Sequence, residues 1–301
     1  MDVTIPRASR SGAAPVAVSF EFFPPKTSEM EEALWQSIQR LAPLQPNFVS
    51  VTYGAGGTTR QRTHSTVARI LEETDMRPAA HLTCVGASRA EIDEVVQEYW
   101  DLGVRHIVAL RGDPPAGVGS KYEPHPQGYQ TSAELVAGIR RIGDFEVTVS
   151  AYPEKHPEAM NFDQDIDALK AKIDAGATRA ITQFFFENDC YLRYLDKVRA
   201  HGIDIPIVPG LVPVQNFKQT ASFATRTGAS VPAWLAARFE GLEDDPATRR
   251  LVAAAVAAEQ ALDLVDRGVR DFHFYTMNKA DLVFAICHLL GLRAQPSQKA
   301  A

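Results

Sequence analysis

Two hydrophobic periodicities alternate along the chain from residue 16 onward. Short runs rich in Val, Ile and Phe predict strands, and longer stretches with an apolar residue every three or four positions predict amphipathic helices. The first such stretch begins with a capping-box pattern at 28–31, and its residues Met30, Leu34, Ile38 and Leu41 form one apolar stripe. The predicted strands are 16–23, 47–53, 78–83, 105–111, 146–152, 179–185, 205–210 and 270–275.

The regular succession of strand and helix predicts an α/β fold, a single-domain (β/α)8 TIM barrel over residues 16–292. An open, doubly wound sheet is the alternative. The segment 232–268 holds two helices, so extra helices precede the last strand. The second of them is predicted to begin at Asp245-Pro246, because proline is favoured in a first helical turn, and the final helix is predicted over 278–290.

Three segments outside these elements have a loop or tail composition. Residues 1–15 are rich in Arg, Ser, Ala and Pro and lack the apolar run of a secretory signal, which predicts a disordered leader. Residues 293–301 are predicted to form a flexible tail. The loop 114–130 is rich in Pro and Gly, and we expect it to be long and exposed.

Polar side chains collect where six of the predicted strands end. In a parallel barrel the active site lies at the carboxyl ends of the strands. A single polar residue there usually caps a helix or faces water, but six converging strands favour a polar ligand. The residues are Glu21, Thr52, Tyr53, His81, Arg111, Gly112, Asp113, Ser150, Tyr152, Thr182 and Gln183.

Glu21 is the most informative of these residues. Strand alternation puts Val18, Phe20 and Phe22 on one face, which we expect to pack under helices, and Ser19 and Glu21 on the other. A carboxyl group in such apolar surroundings resists ionisation, so it can hold a proton near neutral pH and donate it. Taken from the residues alone, a strand-end glutamate that caps a neighbour or faces water is an equal alternative.

Composition and charge narrow the classes of function. The chain has 301 residues, 45% of them hydrophobic, which is enough for one large core. The net charge of −6 provides no basic field for nucleic acid or an anionic membrane, and no apolar run approaches the roughly 20 residues of a membrane helix. The scattered Cys84, Cys190 and Cys287 form no disulfide framework, which predicts a cytoplasmic protein.

Several common motifs are incomplete in this chain. The glycine-rich segment 54–57 lacks the last glycine of a dinucleotide-binding fingerprint, although it can still bring backbone close to a phosphate or a flat ring. His81 with Cys84, and Cys287 with His288, do not complete a zinc set, so no metal site is predicted. There is no GxSxG motif and no strand-end lysine for a Schiff base.

Ten short segments occur in a characteristic order along the chain. They are Phe-Glu-Phe-Phe-Pro-Pro-Lys (20–26), Phe-Val-Ser-Val-Thr-Tyr-Gly-Ala (48–55), His-Leu-Thr-Cys (81–84), His-Ile-Val-Ala-Leu-Arg-Gly-Asp (106–113), Ala-Tyr-Pro-Glu-Lys-His-Pro-Glu-Ala (151–159), Asp-Ala-Gly-Ala (174–177), Ile-Thr-Gln-Phe-Phe-Phe (181–186), Pro-Gly-Leu-Val-Pro-Val (209–214), Asn-Phe-Lys-Gln (216–219) and Phe-His-Phe-Tyr-Thr-Met-Asn (272–278). In number and order they resemble the methylenetetrahydrofolate reductase family, in its bacterial, single-domain, FAD-dependent form.

The resemblance implies an oxidoreductase of one-carbon metabolism. It implies a barrel that holds FAD without a Rossmann domain, takes electrons from NADH or NADPH, and reduces 5,10-methylenetetrahydrofolate to 5-methyltetrahydrofolate in a ping-pong reaction that feeds methionine synthesis. It also implies a homo-oligomer. Two alternatives stay open: a non-catalytic flavin- or folate-binding barrel, and a different barrel flavoenzyme such as a proline-dehydrogenase-like one. The sequence does not distinguish NADH from NADPH.

The resemblance also implies roles for individual residues. Glu21 would protonate the departing nitrogen as the folate ring opens to an iminium, and Asp113 would stabilise that cation. The cofactor-binding residues would be Thr52, Tyr53, Ala55, His81, Arg111, Gly112, Asp113, Ser132, Tyr152, His156, Ala159, Asp165, Ala168, Ala171 and Lys172. The substrate-binding residues would be Asp113, Gln183, Gln219, Phe223 and Lys279.

Three departures from the family pattern bear on those roles. Ala168 and Ala171 stand where relatives often have polar or basic side chains near FAD. Lys279 stands where relatives use arginine, so a folate contact there loses its bidentate option. The loop between Asp113 and Ser132 is long for the family. Read from the residues alone, Asp113 caps that loop and Lys172 faces solvent on a helix.

Overall fold

A computed structural model describes residues 15–53, 60–114 and 122–295 of the chain. Its strands are β1 Ala17–Phe22, β2 Val49–Val51, β3 Pro78–Thr83, β4 His106–Leu110, β5 Glu146–Ala151, β6 Arg179–Thr182, β7 Ile207–Val208, β8 Gly210–Leu211 and β9 Asp271–Tyr275. Its α-helices are α1 Ser28–Leu41, α2 Arg60–Glu73, α3 Arg89–Leu102, α4 Ser132–Ile142, α5 Phe162–Asp174, α6 Asn188–Ala200, α7 Phe217–Thr227, α8 Ala233–Phe239, α9 Pro246–Asp266 and α10 Ala280–Leu289.

The strands form one parallel, nearly closed barrel. Their order is β7-β6-β5-β4-β3-β2-β1-β9-β8, so β1 pairs with β2 on one side and with β9 on the other. The β1–β9 register sets Ser19 beside His273 and Glu21 beside Tyr275. The predicted (β/α)8 barrel is therefore confirmed, and the doubly wound alternative is wrong.

The seventh strand of the barrel is divided at Pro209. Proline has no N–H to give to a strand ladder, and the two halves turn to different neighbours, β7 to β6 and β8 to β9. Side chains connect β6 with β8 and β9 across this division, since Thr182 Oγ1 accepts a 2.9 Å bond from the Gly210 N–H and Tyr275 Oη donates a 2.7 Å bond to the Thr182 carbonyl. All eight predicted strands thus occur, and 205–210 is corrected to two short strands.

Alternate residues of the strands fill two different cores. Phe20 and Phe22 are fully buried and share a cluster with Leu34 and Ile38 of α1, which confirms that this face packs under helices. The barrel interior has its own smaller apolar cluster, which consists of Phe48, Ala79, Val108, Ile181 and Val208. The inward face of β1 instead carries the buried polar residues Ser19 and Glu21.

The helix boundaries follow the capping residues closely. Helix α9 begins at Pro246, and the Asp245 side chain accepts a 3.0 Å bond from the Thr248 N–H, as the sequence predicts. Helix α1 is capped by Thr27, whose side chain accepts from the Met30 N–H, so its cap precedes the predicted pattern by one residue. Serine and threonine both favour the N-cap position. Thr27 has the extended backbone of an N-cap residue (φ −134°), whereas Ser28 already belongs to the helix.

Strand six ends earlier than predicted. It stops at Thr182, and the chain leaves the sheet so that Phe184 and Phe186 join a second apolar cluster with residues of α7, α8 and α9. Helices α7, α8 and α9 therefore bury a core of their own beside the barrel. Two of them, α8 and α9, are the helices predicted for 232–268. The structure does not test the predicted leader at 1–15 or the predicted tail at 293–301. Residues 115–121 of the loop 114–130 lie outside the described residues, and in the described part the expected exposure fails at Gly128 and Tyr129, which are buried.

Candidate active site

The predicted site residues follow the strands whose carboxyl ends meet at one end of the barrel. Thr52 and Tyr53 follow β2, His81 lies in β3, and Arg111, Gly112 and Asp113 follow β4. The segment after β5 carries Tyr152, His156 and Ala159, α5 carries Asp165, Ala168, Ala171 and Lys172, and Gln183 follows β6. Ala55 lies outside the described residues. Parallel pairing around the barrel brings these segments to the same end.

A buried carboxyl group lies between two imidazole rings at this end. Glu21 Oε2 is 3.4 Å from His81 Nε2 and 3.7 Å from His273 Nε2. Glu21 is 8% exposed, His81 6% and His273 0%, so this is one of the driest polar clusters in the described structure. Burial lowers the pKa of His81, and the Glu21 charge opposes that effect. The water-facing alternative for Glu21 is therefore wrong.

His273 is a site residue that the sequence prediction missed. Its Nδ1 lies 2.8 Å from the Ser19 hydroxyl, so β1 and β9 together hold the ring against Glu21. A signal was present, because alternation along Asp271–Tyr275 turns residues 271, 273 and 275 inward just as it does Glu21. The partner of that inward face, however, depends on how the barrel closes.

Aromatic rings connect this cluster to the protein surface. Tyr275 packs edge-on against His273 with centroids 5.3 Å apart, and Phe184 packs edge-on against Tyr275 at 6.4 Å. Phe223 on α7 stacks on Phe184 at 5.6 Å and is 46% exposed. The exposed ring face of Phe223 is therefore available to a flat ligand near the Glu21 cluster.

Gly112 sets the direction of the two charged residues beside it. Its φ is +87°, and a Cβ there would lie 2.5 Å from Val85 Cγ1, so neither the backbone nor the space admits another residue. Arg111 on one side donates two bonds to the Glu158 carboxylate, of 2.5 and 2.8 Å. Asp113 on the other side is exposed.

A buried ammonium group lies behind the loop that follows β5. Lys172 is 7% exposed and its Nζ donates a 2.6 Å bond to the Ser150 carbonyl, so the alternative of a solvated helix face is wrong. Burial lowers its pKa to about 8, against the opposing charge of Asp165. Asp165 is also buried and accepts a 3.3 Å bond from the His156 N–H, and burial raises its pKa.

The remaining predicted residues lie at exposed or half-buried positions outside these contacts. Ala168 and Ala171 are exposed on α5, outside the buried face that carries Asp165 and Lys172. Ala159 and Ser132 are half-buried, Ser132 as the first residue of α4, whereas Gln219 and Lys279 are exposed in or just before the first turns of α7 and α10. Their roles stay predictions.

Two general findings concern the described ranges 15–53, 60–114 and 122–295. Within them, no three or more His, Cys, Asp or Glu side chains are arranged to hold a metal ion. None of the helices in those ranges combines the length and the apolar character needed to cross a bilayer.

The parallel barrel with a buried carboxyl group at the carboxyl end of its strands defines an α/β-barrel enzyme. Comparison with known families is consistent with that class, because the model of the methylenetetrahydrofolate reductase family matches residues 7–291. The chain belongs to the methylenetetrahydrofolate reductase family. The resemblance drawn from the ten sequence segments is thereby confirmed.

Bacterial relatives align over nearly the whole chain. The chain is 54% identical over 278 residues to 5,10-methylenetetrahydrofolate reductase of Pectobacterium carotovorum subsp. carotovorum, an alignment that covers 92% of the chain and 91% of the relative. It is 51% identical to the protein of the same name from Escherichia coli (strain K12), which it covers to 92%. The protein named methylenetetrahydrofolate reductase (NADH) 1 of Arabidopsis thaliana is 34% identical, and the alignment spans 48% of that protein.

Solved structures with little sequence identity share the fold. One is a Clostridium thermocellum protein described as binding two copies of 5-methyl-5,6,7,8-tetrahydrofolic acid, with a TM-score of 0.61 and 14% identity. The likeness covers 93% of this chain and 96% of that one. At this identity it shows the barrel fold alone.

Proposed function

We propose that this chain reduces 5,10-methylenetetrahydrofolate to 5-methyltetrahydrofolate, with FAD as bound cofactor and NADH or NADPH as electron donor. The two substrates would take turns at one site, in a ping-pong reaction that feeds methionine synthesis in the cytoplasm. Family membership supports the reaction. The observation that carries the mechanism is the Glu21 carboxyl group, held between two imidazoles at the end of the barrel where ligands bind.

The described residues fit a phosphorylated cofactor. The Lys172 ammonium has three N–H bonds and one hydrogen-bond acceptor among the described residues, the Ser150 carbonyl. A buried cation with donors left over is suited to a pyrophosphate oxygen. Lys172, Asp165 and His156 would hold the pyrophosphate and adenosine end, whereas His81, Arg111 and Gly112 would contact the ring end. When bound, FAD supplies the hydride chemistry, and the protein supplies placement and charge.

Glu21 would act as the general acid. Opening the five-membered folate ring needs a proton on the departing nitrogen, and a positioned carboxyl group contributes typically 10²–10⁴-fold to such a step. The position of Glu21 supports this role, because its carboxyl group is shielded from bulk water at the end of the barrel where ligands bind. His81, neutral through burial, adds no second positive charge beside the cation that forms.

Asp113 and the residues of the far wall would bind and polarise the folate. An exposed aspartate beside Gly112 can approach a positively charged carbon–nitrogen unit and stabilise it. Phe223, stacked on Phe184, offers its exposed face to a pterin or a nicotinamide ring. Gln183, Gln219 and Lys279 would supply hydrogen bonds to the substrate.

Two other functions make different predictions about the purified protein. A non-catalytic flavin or folate carrier needs no proton donor, so the buried Glu21 argues against it. A different barrel flavoenzyme would be bleached by its own donor but not reoxidised by a folate. Homo-oligomer formation is a further expectation from the resemblance, and light scattering during size-exclusion chromatography measures it.

An anaerobic absorbance experiment separates these readings. The protein with FAD is expected to be yellow, to bleach with NADH or NADPH, and to recover its colour when 5,10-methylenetetrahydrofolate is added. Protein that takes up no FAD would contradict the proposal. Bleaching without recovery by the folate would favour a different flavoenzyme. Comparing NADH with NADPH in the first step also identifies the donor.

A further inference from the structure

One carboxylate oxygen of Glu21 faces two nitrogen atoms whose bonding capacity is unused. Neither His81 Nε2 nor His273 Nε2 has a hydrogen-bond partner among the described residues, although both are buried. Leaving a buried polar atom without a partner is energetically costly. Both atoms lie within 3.7 Å of Glu21 Oε2. They are therefore placed to bond a proton that Glu21 carries.

The Ser19 hydroxyl is placed to set which nitrogen of His273 carries hydrogen, since the donor and acceptor of this pair depend on the imidazole tautomer. Ser19 Oγ lies 2.8 Å from His273 Nδ1 and donates its proton to the Phe272 carbonyl at 3.3 Å. A hydroxyl group has one proton, so once that proton is used the oxygen accepts the Nδ1–H bond. A neutral His273 then keeps its lone pair on Nε2, the nitrogen that faces Glu21.

We propose that His273, oriented by Ser19, is a positioning residue that shares one proton with Glu21. The inference rests on the proposed role of Glu21 as general acid. In one state the Glu21 carboxyl O–H donates to Nε2 of neutral His273, and in the other the imidazolium N–H donates to the Glu21 carboxylate. The Nδ1–H bond to Ser19 is the same in both states, so the proton moves without turning the ring.

The proton count of this pair changes once in each turnover. Glu21 gives its proton to the folate nitrogen as the carbon–nitrogen bond breaks, which leaves a carboxylate beside neutral His273. A proton from solvent then restores the shared state. The 3.7 Å separation of Glu21 Oε2 and His273 Nε2 is longer than a normal hydrogen bond, so sharing the proton requires the two groups to approach by about 0.5 Å.

The other groups around Glu21 leave His273 as its partner. His81 on β3 and Tyr275 on β9 both face Glu21, and β2 places the Ser50 hydroxyl in register with it. Burial lowers the pKa of His81 and raises that of Tyr275, so both stay neutral near pH 7. His273 differs because its second nitrogen already has the Ser19 oxygen to support an N–H bond.

Single-turnover kinetics over a range of pH tests the proposal. His273→Gln puts an amide near the position of Nε2, which can bond Glu21 but cannot take a proton, and Ser19→Ala removes the group that orients the ring. We expect both variants to slow the folate half-reaction by about tenfold or more and to shift its pH profile. Reduction of the flavin by the nicotinamide donor is expected to stay at the wild-type rate.

Thr148→Val is the matched control. Thr148 Oγ1 lies 2.7 Å from Nε2 of His106, which is the same hydroxyl–imidazole pairing at the amino-terminal end of the barrel strands. This variant is expected to lose some stability and to keep the wild-type pH profile. Wild-type profiles in both Ser19→Ala and His273→Gln, or an equal shift in Thr148→Val, would overturn the proposal.

Nitrogen NMR of the histidine-labelled full chain tests the same pair without turnover. We expect one imidazole with hydrogen on Nδ1 and a bare Nε2, absent from His273→Gln. Its Nε2 signal should shift in Glu21→Gln, and its tautomer should change in Ser19→Ala. If the His273 signals stay the same in both Glu21→Gln and Ser19→Ala, the pairing is refuted. If the wild type fails to reduce folate, the proposed function is rejected. The NMR measurement still tests whether Glu21 and His273 share a proton, because it needs no turnover.

Discussion

Lys172 donates a 2.6 Å hydrogen bond from its buried Nζ to the backbone carbonyl of Ser150. The bond crosses from α5 to β5, so the ammonium group is fixed behind the segment that carries Tyr152 and His156. Burying a cation here is costly, and the pKa of Lys172, lowered by burial to about 8, reflects that cost. Such a cost is expected where a positive charge has a ligand to bind.

Removing this charge should weaken cofactor binding. For Lys172→Met we expect the dissociation constant of FAD to rise by about tenfold or more, since a charge-assisted bond is worth about 1.5–3 kcal/mol. Quenching of flavin fluorescence during titration of cofactor-free protein measures it. Lys170→Met is the control, because Lys170 is on the same helix but pairs with Asp174 at the surface. An unchanged affinity in Lys172→Met would contradict the role of Lys172.

The same substitution should stabilise the cofactor-free protein in a pH-dependent way. Lys172 has a folded-state pKa of about 8 against an ordinary value of 10.5, so between these values the unfolded chain binds more protons. The buried charge therefore lowers the free energy of unfolding by its full amount below pH 8, and this destabilisation disappears as pH rises toward 10.5. At about 1.4 kcal/mol per pKa unit, the upper limit of this destabilisation is of the order of 3 kcal/mol.

Urea unfolding at several pH values measures the gap in free energy of unfolding between Lys172→Met and the wild type. Lys172→Met is expected to be more stable than the wild type at pH 7, and the gap is expected to narrow as the buffer becomes alkaline. The loss of the Ser150 bond and of the charge near Asp165 makes the gap smaller than its upper limit. A gap that widens with pH would have the wrong sign and would reject the assignment.

Gly112→Ala should damage the site for a steric reason. Its positive φ costs an alanine about 1–2 kcal/mol, and the contact with Val85 adds the cost of overpacking, typically 1–3 kcal/mol. Gly103→Ala isolates the first term, because Gly103 has a φ of +96° with nothing within 4 Å of a Cβ. We expect Gly112→Ala to lose more free energy of unfolding than Gly103→Ala and to bind FAD more weakly. Equal losses would show that the contact with Val85 relaxes freely.

Glu21→Gln should separate the two halves of the reaction. The amide matches the carboxyl group in size but cannot donate an acidic proton, so folate reduction is expected to fall by about 10²–10⁴-fold. FAD binding and reduction of the flavin by the nicotinamide donor are expected to persist, since neither needs the acid. Stopped-flow absorbance follows each half separately. Folate turnover near the wild-type rate would remove Glu21 from the role of acid.

Local sequence patterns were sufficient for most of the fold. The alternation in β1 predicted its outward phenylalanines and its inward Ser19 and Glu21, and a barrel followed from the repeat of strands and helices. The division of the seventh strand was missed, although Pro209 stood near the end of the predicted segment 205–210. Which neighbour each half joins depends on barrel closure, and a local pattern does not contain that information.

The candidate site was predictable in its residue types and less so in its contacts. The strand-end pattern indicated Glu21 and His81, and the family resemblance indicated Lys172, yet neither indicated that Lys172 is buried. His273 was overlooked because its partner Ser19 is 254 residues away in sequence. Contacts of that kind arise only when the first and last strands pair.

The interruption at Pro209 has a mechanical consequence for the folate side of the proposed site. Around most of the circumference, neighbouring strands are bridged by an unbroken backbone ladder, but here Thr182 carries much of the connection through its hydroxyl and its carbonyl. Bending the wall at this point acts on these hydrogen bonds of Thr182 rather than on one continuous main-chain ladder. If two differently shaped substrates take turns at the proposed site, we expect the wall to adjust beside Gln183 and Tyr275.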